Sequence, residues 1–165
     1  MELDPGYSNV RTGVRALIQA DGHILLEEFS DPVTGGRFFA VPGGGLEHGE
    51  TVQDGVRREC LEEIGVQVRV HDLAVVCEVI SERLGRQDGK PTGSRFHQIN
   101  LMLWCGLEQG EKPGLGELPD SERQTGAAWL PIERLHEFDV RPRVIADWLQ
   151  TDASVRPRLI ADTNR

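Results

Sequence analysis

The stretch GGLEHGETVQDGVRRECLEEIGV at residues 44–66 decides the fold of the chain around it. Glu59, Glu62 and Glu63 stand at i, i+3 and i+4, which places them on one face of a 3.6-residue helix. Like charges at this spacing destabilise a helix by about 0.2–0.5 kcal/mol per pair. Carboxylate oxygens are the ligands that Mg²⁺ and Mn²⁺ prefer, and a bound cation would offset the repulsion. The pattern predicts a divalent metal site on a helix; the alternative is an ordinary solvated helix whose arginines balance its acids.

Both ends of this helix are predicted from local signals. Thr51 is a good N-cap residue, and Asp54 can answer it three residues later as in a capping box. Gly65 stands where a left-handed glycine usually ends a helix. Between these ends an apolar row at i, i+4 spacing predicts the buried face, and it consists of Val52, Val56, Cys60 and Ile64.

A glycine-rich segment precedes the helix. Residues 38–41 form an apolar run that predicts a short strand, and Pro42 with the three glycines 43–45 predicts a turn after it. Strand, turn and acidic helix together place exposed backbone beside the carboxylates. There a carbonyl oxygen could bind a metal ion, and amides, that of Gly44 among them, could approach a phosphate.

Residues 44–66 resemble the signature of the Nudix hydrolases, GX5EX7REUXEEXGU, in which U is an aliphatic residue. Seven fixed positions match, namely Gly44, Glu50, Arg58, Glu59, Glu62, Glu63 and Gly65. Val66 occupies the final U position, whereas Cys60 replaces the usual aliphatic residue at the first. A buried cysteine behaves as a small hydrophobic residue, so we expect this departure to leave the chemistry intact.

The resemblance implies a hydrolase that cleaves a nucleoside diphosphate derivative by attack of water on phosphorus. Mg²⁺ or Mn²⁺ would be the cofactor, with Glu59 as the expected metal bridge. The implied ligands are the carboxylates of Glu59, Glu62 and Glu63 with the carbonyl oxygen of Gly43 or Gly44. The ions would neutralise phosphate charge and activate the water.

The same resemblance assigns Arg58 and Glu50 a supporting role. They would pair near the start of the helix and fix the direction in which the metal-binding carboxylates point. The alternative is an ordinary surface ion pair, which contributes less than about 1 kcal/mol to stability.

Four further residues have two interpretations each. Glu122 lies where many Nudix enzymes carry a fourth ligand or general base, but it could equally be one solvated acid of an acidic loop. Phe39 could stack on a base or belong to the core, and Arg37 could meet a distal phosphate or remain a surface residue. His97 could line the pocket or be structural.

Composition limits the class of protein. We expect residues 1–165 to form a single domain, and the net charge of −9 argues against a nucleic-acid partner. No apolar run approaches the length of a membrane span, and no signal peptide is evident, so a cytoplasmic protein without a membrane partner is expected. Three cysteines without close spacing predict buried, reduced thiols. The sequence does not distinguish a monomer from a homodimer.

The remaining pattern predicts an α/β fold, which the resemblance specifies as the Nudix fold: a mixed β-sheet sandwiched between α-helices. Asp21 and Gly22 mark a hairpin turn between two strands. The predicted strands cover residues 14–18, 23–28, 38–41, 66–70, 73–80, 96–107 and 127–130, the last being the final strand. Loops are predicted at 82–94 and 109–123, and a closing helix at 143–149.

The substrate remains open. The proline that commonly marks ADP-ribose hydrolases would fall near Ser81, and the tyrosine of diadenosine polyphosphate hydrolases near Glu82; both are missing. The surrounding sequence nevertheless resembles small bacterial Nudix proteins of the ADP-ribose pyrophosphatase type. The first alternative is a nucleoside triphosphate pyrophosphohydrolase that clears unwanted nucleotides. The second is a Nudix module that senses nucleotides without catalysis, although all the metal glutamates are present.

Overall fold

The computed structural model describes residues 9–82, 85–87, 90–92 and 95–164. The elements in chain order are β1 (Arg11–Ala20), β2 (His23–Ser30), β3 (Arg37–Ala40), β4 (Gly43–Gly45), α1 (Val52–Ile64), β5 (Val68–Glu82), β6 (Gly85–Gln87), β7 (Lys90–Thr92), β8 (Arg95–Leu107), β9 (Gln124–Pro131), a 3₁₀ helix (Ile132–Glu137), β10 (Val140–Arg141), α2 (Val144–Gln150) and β11 (Leu159–Asn164).

Nine of these strands form one mixed sheet. Its main path runs β10-β3-β2-β1-β8-β5-β11, with β4 paired to β1 and β9 paired to β2. Strand β1 is the centre, since it lies parallel to β8 and antiparallel to β2 and β4. The predicted hairpin turn is confirmed, because Gln19 pairs with Ile24 across Asp21 and Gly22.

The two helices cover opposite faces of the sheet. Successive residues of a strand point to opposite faces, and β1 follows this rule. Leu17 packs in one core with Trp148 of α2, whereas Ala16 packs in the other core with Val56 of α1. The predicted mixed sheet between helices is therefore confirmed. No helix within the described residues has the length and apolar character that crossing a membrane requires.

Helix α1 has the predicted caps. The amide of Asp54 donates to Thr51 Oγ1 over 3.2 Å, and the Thr51 hydroxyl donates to Asp54 Oδ2 over 2.7 Å. Gly65 ends the helix at φ 67°, a left-handed conformation that glycine adopts without steric cost. The cysteines Cys60, Cys77 and Cys105 are buried and unpaired, and burial raises the pKa of each thiol.

Two details of the strand predictions were wrong. The predicted strands 66–70 and 73–80 are one strand, β5, whose register against β8 shifts between Val70 and Val75. The predicted final strand 127–130 lies within β9, and β10 and β11 follow it. Strand β11 comes from the tail, and it lies parallel to β5. A parallel partner so far along the chain has no local signal, since only tertiary packing supplies its hydrogen bonds.

The glycine segment is a strand instead of the predicted turn. Gly43–Gly45 form β4, and Gly44 pairs with Val14 of β1. A Cβ built on Gly43 would lie 2.1 Å from the Val14 carbonyl oxygen, so only glycine allows this close approach. The glycines therefore bring β4 against the centre of the sheet and place its backbone beside α1.

The predicted loops have different outcomes. Residues 109–123 contain no helix or strand, as predicted. Within 82–94, the described residues form the short antiparallel pair of β6 and β7, so the prediction of a loop there was wrong. Residues 83–84, 88–89 and 93–94 lie outside the described residues. The closing helix begins at Val144 and ends at Gln150, within one residue of the prediction.

Candidate functional site

Arg58 organises a cluster of acidic side chains beside β4. Its Nε and Nη2 donate to the two carboxylate oxygens of Glu50 over 2.8 and 3.0 Å, and Nη2 also donates to the Gly45 carbonyl over 3.0 Å. Its Nη1 donates to Glu59 over 2.9 Å and to Glu62 over 3.2 Å. All five N–H donors of the guanidinium are used in this way. One arginine thus fixes two of the predicted metal ligands against the glycine strand.

Glu50 holds Arg58 in turn. The bidentate hydrogen bond from Arg58 lowers the pKa of Glu50, so this carboxylate stays ionised. A Cβ built on Gly55 would lie 3.0 Å from Glu50 Oε2, so glycine at this helical position leaves room for the carboxylate. The predicted pairing of Arg58 and Glu50 near the helix start is what the structure shows.

Glu59 lies against the backbone of β4. A Cβ built on Gly44 would lie 2.6 Å from Glu59 Oε1, so the lack of a side chain at Gly44 admits the carboxylate. Only 7% of Glu59 is exposed. Burial raises the pKa of Glu59 to about 7, the charges of Glu63 and Glu62 add to this, and the Arg58 guanidinium opposes it. A buried carboxylate with a raised pKa is suited to bind a cation, which would replace the missing solvation.

Glu63 faces the same strand from the last turn of α1. Its Oε2 accepts a hydrogen bond from the Gly43 amide over 3.1 Å. The Gly43 carbonyl oxygen, which the resemblance offers as a metal ligand, accepts a hydrogen bond from Arg15. Gly43 therefore contacts the cluster through its amide, and its role as a ligand stays a prediction.

The 109–123 connection fixes the end of α1 that carries Glu62 and Glu63. The amides of Gly116 and Leu118 each donate over 2.9 Å, to the carbonyls of Glu63 and Glu62 respectively, and Gln124 Nε2 donates to the Glu63 carbonyl over 2.7 Å. These bonds satisfy carbonyls that a helix end leaves free. The segment predicted as an acidic connection therefore holds in place the helical turn that carries Glu62 and Glu63.

Sequence reasoning missed Glu27, which lies on β2 and is 1% exposed. Its carboxyl is within hydrogen-bond reach of Glu63, and burial followed by this contact raises its pKa far above the ordinary range. The strand alternation was the available signal. Leu25 packs against the α1 side of the sheet, so a residue two positions later faces the same side.

The residues present suit a hard divalent cation. Among the described residues, no three acidic, histidine or cysteine side chains are already grouped to hold a metal ion. Arg58 and the Gly43 amide donate hydrogen bonds to the carboxylates. The donor set nevertheless consists of carboxylates, and Glu27 Oε1 is buried without a hydrogen-bond partner in the described structure. Carboxylate oxygens are the type of ligand that Mg²⁺ and Mn²⁺ prefer.

The residues predicted outside the signature lie in other surroundings. The Arg37 side chain is 67% exposed and pairs with Glu28 over 2.8 Å. Phe39 is 4% exposed and packs edge-on against Phe138 with 5.8 Å between ring centroids, which favours the core interpretation. Glu122 is exposed, and it forms no hydrogen bond or ion pair with any other described residue. His97 Nε2 lies 2.7 Å from Glu78 Oε1, and this pairing favours the structural interpretation of His97.

The pKa of Glu59 predicts how pH affects the stability of the metal-free protein. Because the pKa is raised from 4.5 to about 7 on folding, the folded chain holds a proton that the unfolded chain releases in this range. The stability that Glu59 contributes in this way is fully present below pH 4.5 and is lost as the pH rises through about 7. We expect the Tm in chelator to fall from pH 5 to pH 8, and to fall less in Glu59→Gln. Equal falls in both proteins, measured by differential scanning fluorimetry, would contradict this assignment.

Comparison with known proteins agrees with the geometry. A nucleoside triphosphatase NudI from Salmonella agona is 43% identical over 65 residues, which cover 38% of this chain and 45% of that protein. The chain thus matches less than half the length of this relative. A NUDIX hydrolase from Nitrosomonas europaea has a TM-score of 0.67 at 19% identity, with 96% of this chain and 81% of that chain covered. An ADP-ribose pyrophosphatase from Streptococcus suis has a TM-score of 0.56 at 16% identity, with 94% and 100% covered.

The two solved structures show a shared fold, while the family follows from the sequence as a whole. The signature residues at 44–66 meet at one site, where the helix glutamates, Arg58 and the glycine strand are in contact. The NUDIX domain family model matches residues 9–149, which is most of the chain. The chain therefore belongs to the Nudix family.

Proposed function

We propose that this protein is a divalent-cation-dependent hydrolase that cleaves a phosphoanhydride bond in a nucleoside diphosphate derivative of the ADP-ribose type. The observation that supports it most is the set of hydrogen bonds from Arg58 to Glu50, Glu59 and Glu62 beside β4. This arrangement concentrates negative charge at a backbone surface that is free of side chains. Such a surface suits a cation and the phosphate that the cation would bind.

The chain's own residues would hold the cation through Glu59, Glu62 and Glu63. When bound, Mg²⁺ or Mn²⁺ supplies positive charge that stabilises the phosphate and lowers the pKa of the attacking water. Arg58 keeps Glu59 and Glu62 pointed toward β4, and Glu50 keeps Arg58 in place. The amide of Gly43 orients Glu63. The protein's contribution is thus to fix ligand directions before the substrate arrives.

Electrostatics gives an independent reason for cation dependence. The chain has a net charge of −9, and the site itself is acidic. A polyphosphate would be repelled from such a surface until cations bridge the two. Binding of substrate and binding of cation are therefore expected to support each other.

The alternative substrate class is a nucleoside triphosphate, from which the enzyme would release pyrophosphate. The observation that favours it is the 43% identity to the nucleoside triphosphatase NudI, over a stretch of 65 residues. The observation that favours the diphosphate class is the fold likeness to an ADP-ribose pyrophosphatase over 94% of this chain. Neither likeness fixes the substrate, because the first is short and the second has 16% identity.

A substrate panel distinguishes these classes. The protein is incubated with Mg²⁺ or Mn²⁺ and with ADP-ribose, nucleoside diphosphate sugars, dinucleoside polyphosphates or nucleoside triphosphates, and products are identified by ³¹P NMR. ADP-ribose should give AMP and ribose 5-phosphate, whereas a triphosphate would give a monophosphate and pyrophosphate. Cation binding without turnover of any compound would instead support a non-catalytic nucleotide sensor.

The role of Glu122 is tested by Glu122→Gln. If it acts as a general base or a fourth ligand, kcat at saturating substrate should fall while KM stays within about 3-fold, because the effect appears mainly in the transition state. An exposed, solvated acid would change both by less than about 2-fold, since such charges are screened. The control is Glu117→Gln in the same connection. Sensitivity of Glu117 alone would contradict the assignment of Glu122.

A further inference from the structure

Glu27 is an acid inside an otherwise apolar part of the sheet. It lies on β2 between Ala40 of β3 and Ala127 of β9, and these two small residues leave room for its side chain. The residue is 1% exposed. An ionised carboxylate in such surroundings is costly unless it is paired or binds a metal ion. In its ionised form Glu27 therefore needs a partner of positive charge.

The neighbouring groups of the protein do not supply that partner. Glu27 Oε1 accepts no hydrogen bond from the described part of the chain, although it is fully shielded from solvent. The side chain within hydrogen-bond reach of Glu27 is another acid, Glu63, whose Oε2 already accepts from the Gly43 amide. Arg15 lies nearby, but its Nη1 donates to the carbonyl oxygens of Val41 and Gly43.

The buried carboxyl groups of Glu27 on β2 and Glu63 on α1 are thus in contact, and Glu27 Oε1 has no hydrogen-bond partner in the described structure. We propose that Glu27 is an additional ligand of a divalent cation, which it holds together with Glu63 on the inner side of the acidic cluster. This inference rests on the proposed cation-dependent function, and it extends the ligand set beyond the 23-residue signature to strand β2. Carboxylate oxygens from a strand and a helix would fix the ion from two rigid elements, which makes its position precise.

The solvent exposure of the acidic side chains decreases from Glu62 to Glu27, which gives a cation a route from the surface to the interior. The Glu62 side chain is 32% exposed and that of Glu59 is 9% exposed, whereas Glu27 is enclosed. The carboxylates therefore form a series from the surface to the interior, since the charge of Glu63 acts on Glu59 and the Glu63 side chain is within hydrogen-bond reach of Glu27. A cation that enters at Glu62 meets oxygen donors at each stage.

The test is Mn²⁺ binding to the chelator-treated full chain, measured by electron paramagnetic resonance and by calorimetry. Glu27→Gln should weaken Mn²⁺ binding by about 10-fold or more, or remove one bound ion. The matched control is Glu28→Gln, the next residue of β2, which pairs with Arg37 at the surface and should bind Mn²⁺ within about 2-fold of wild type. Glu59→Gln serves as the reference for loss of a signature ligand.

Each result separates this inference from the proposed function. If Glu27→Gln binds Mn²⁺ like wild type while Glu59→Gln does not, Glu27 and Glu63 merely share a proton and the inference is overturned. If wild type itself binds no Mn²⁺, the inference and the proposed function both fail. Circular dichroism checks that each variant folds. Should Glu27→Gln fail to fold, Glu27→Leu fills the same buried space without a polar atom and is judged by the same Mn²⁺ measurement.

Discussion

Replacement of Glu59 by glutamine is expected to lower kcat by about 10²-fold or more, because the amide keeps the size of the side chain but loses the charge that holds a cation. Glu59 is 7% exposed and lies against Gly44, so water cannot substitute freely for the lost carboxylate. Glu63→Gln should have an effect of similar size. Steady-state kinetics with the substrate found in the panel, at several Mg²⁺ concentrations, measures both variants.

The control for these variants is Glu47→Gln. Glu47 lies 4.0 Å from Arg58 Nε, but its side chain is 70% exposed, so its charge is screened by solvent. We expect its kcat to stay within about 2-fold of wild type. Arg58→Ala should lower kcat by more than Glu47→Gln and by less than Glu59→Gln. The reason is that Arg58 orients Glu59 and Glu62 and does not bind the cation itself. Wild-type rates with unchanged cation dependence in both Glu59→Gln and Glu63→Gln would place the catalytic site elsewhere.

Removal of divalent cations is the second change with a large expected effect. Cation charge at the phosphate supplies several kcal/mol of transition-state stabilisation, so the rate in excess chelator should fall by about 10³-fold. Added Mg²⁺ or Mn²⁺ in excess over the chelator should restore it. A full rate in the presence of excess chelator would end the interpretation of the helix glutamates as metal ligands.

Much of the candidate site was predictable because its signals are local. The spacing of Glu59, Glu62 and Glu63 follows from the helical period alone, and the resemblance supplied the pairing of Arg58 with Glu50 that the structure shows. The surroundings of the other candidates were not predictable. Arg37 pairs with Glu28, and Phe39 packs in the core, because their neighbours come from distant parts of the chain.

Glu27 shows the limit of sequence reasoning most clearly. Its position two residues after Leu25 indicates the face on which it lies, but only the packing of α1 on that face brings Glu63 to it. Likewise, the sequence of the 109–123 connection indicates candidate ligands through its acids, whereas the structure shows that its backbone amides donate hydrogen bonds to the end of α1. Contacts of this kind depend on which backbone atoms meet, and side-chain identity carries little information about them.

The sequence by itself determined the helix at Val52–Ile64 with both caps, the hairpin of β1 and β2, and the face that carries the acids. These features need only neighbours within a few residues, so composition and period are sufficient. The tertiary structure decided that Gly43–Gly45 join the sheet as β4 and that β11 returns to pair with β5. Strand pairing satisfies hydrogen bonds between distant segments, and its choice depends on how the whole chain packs.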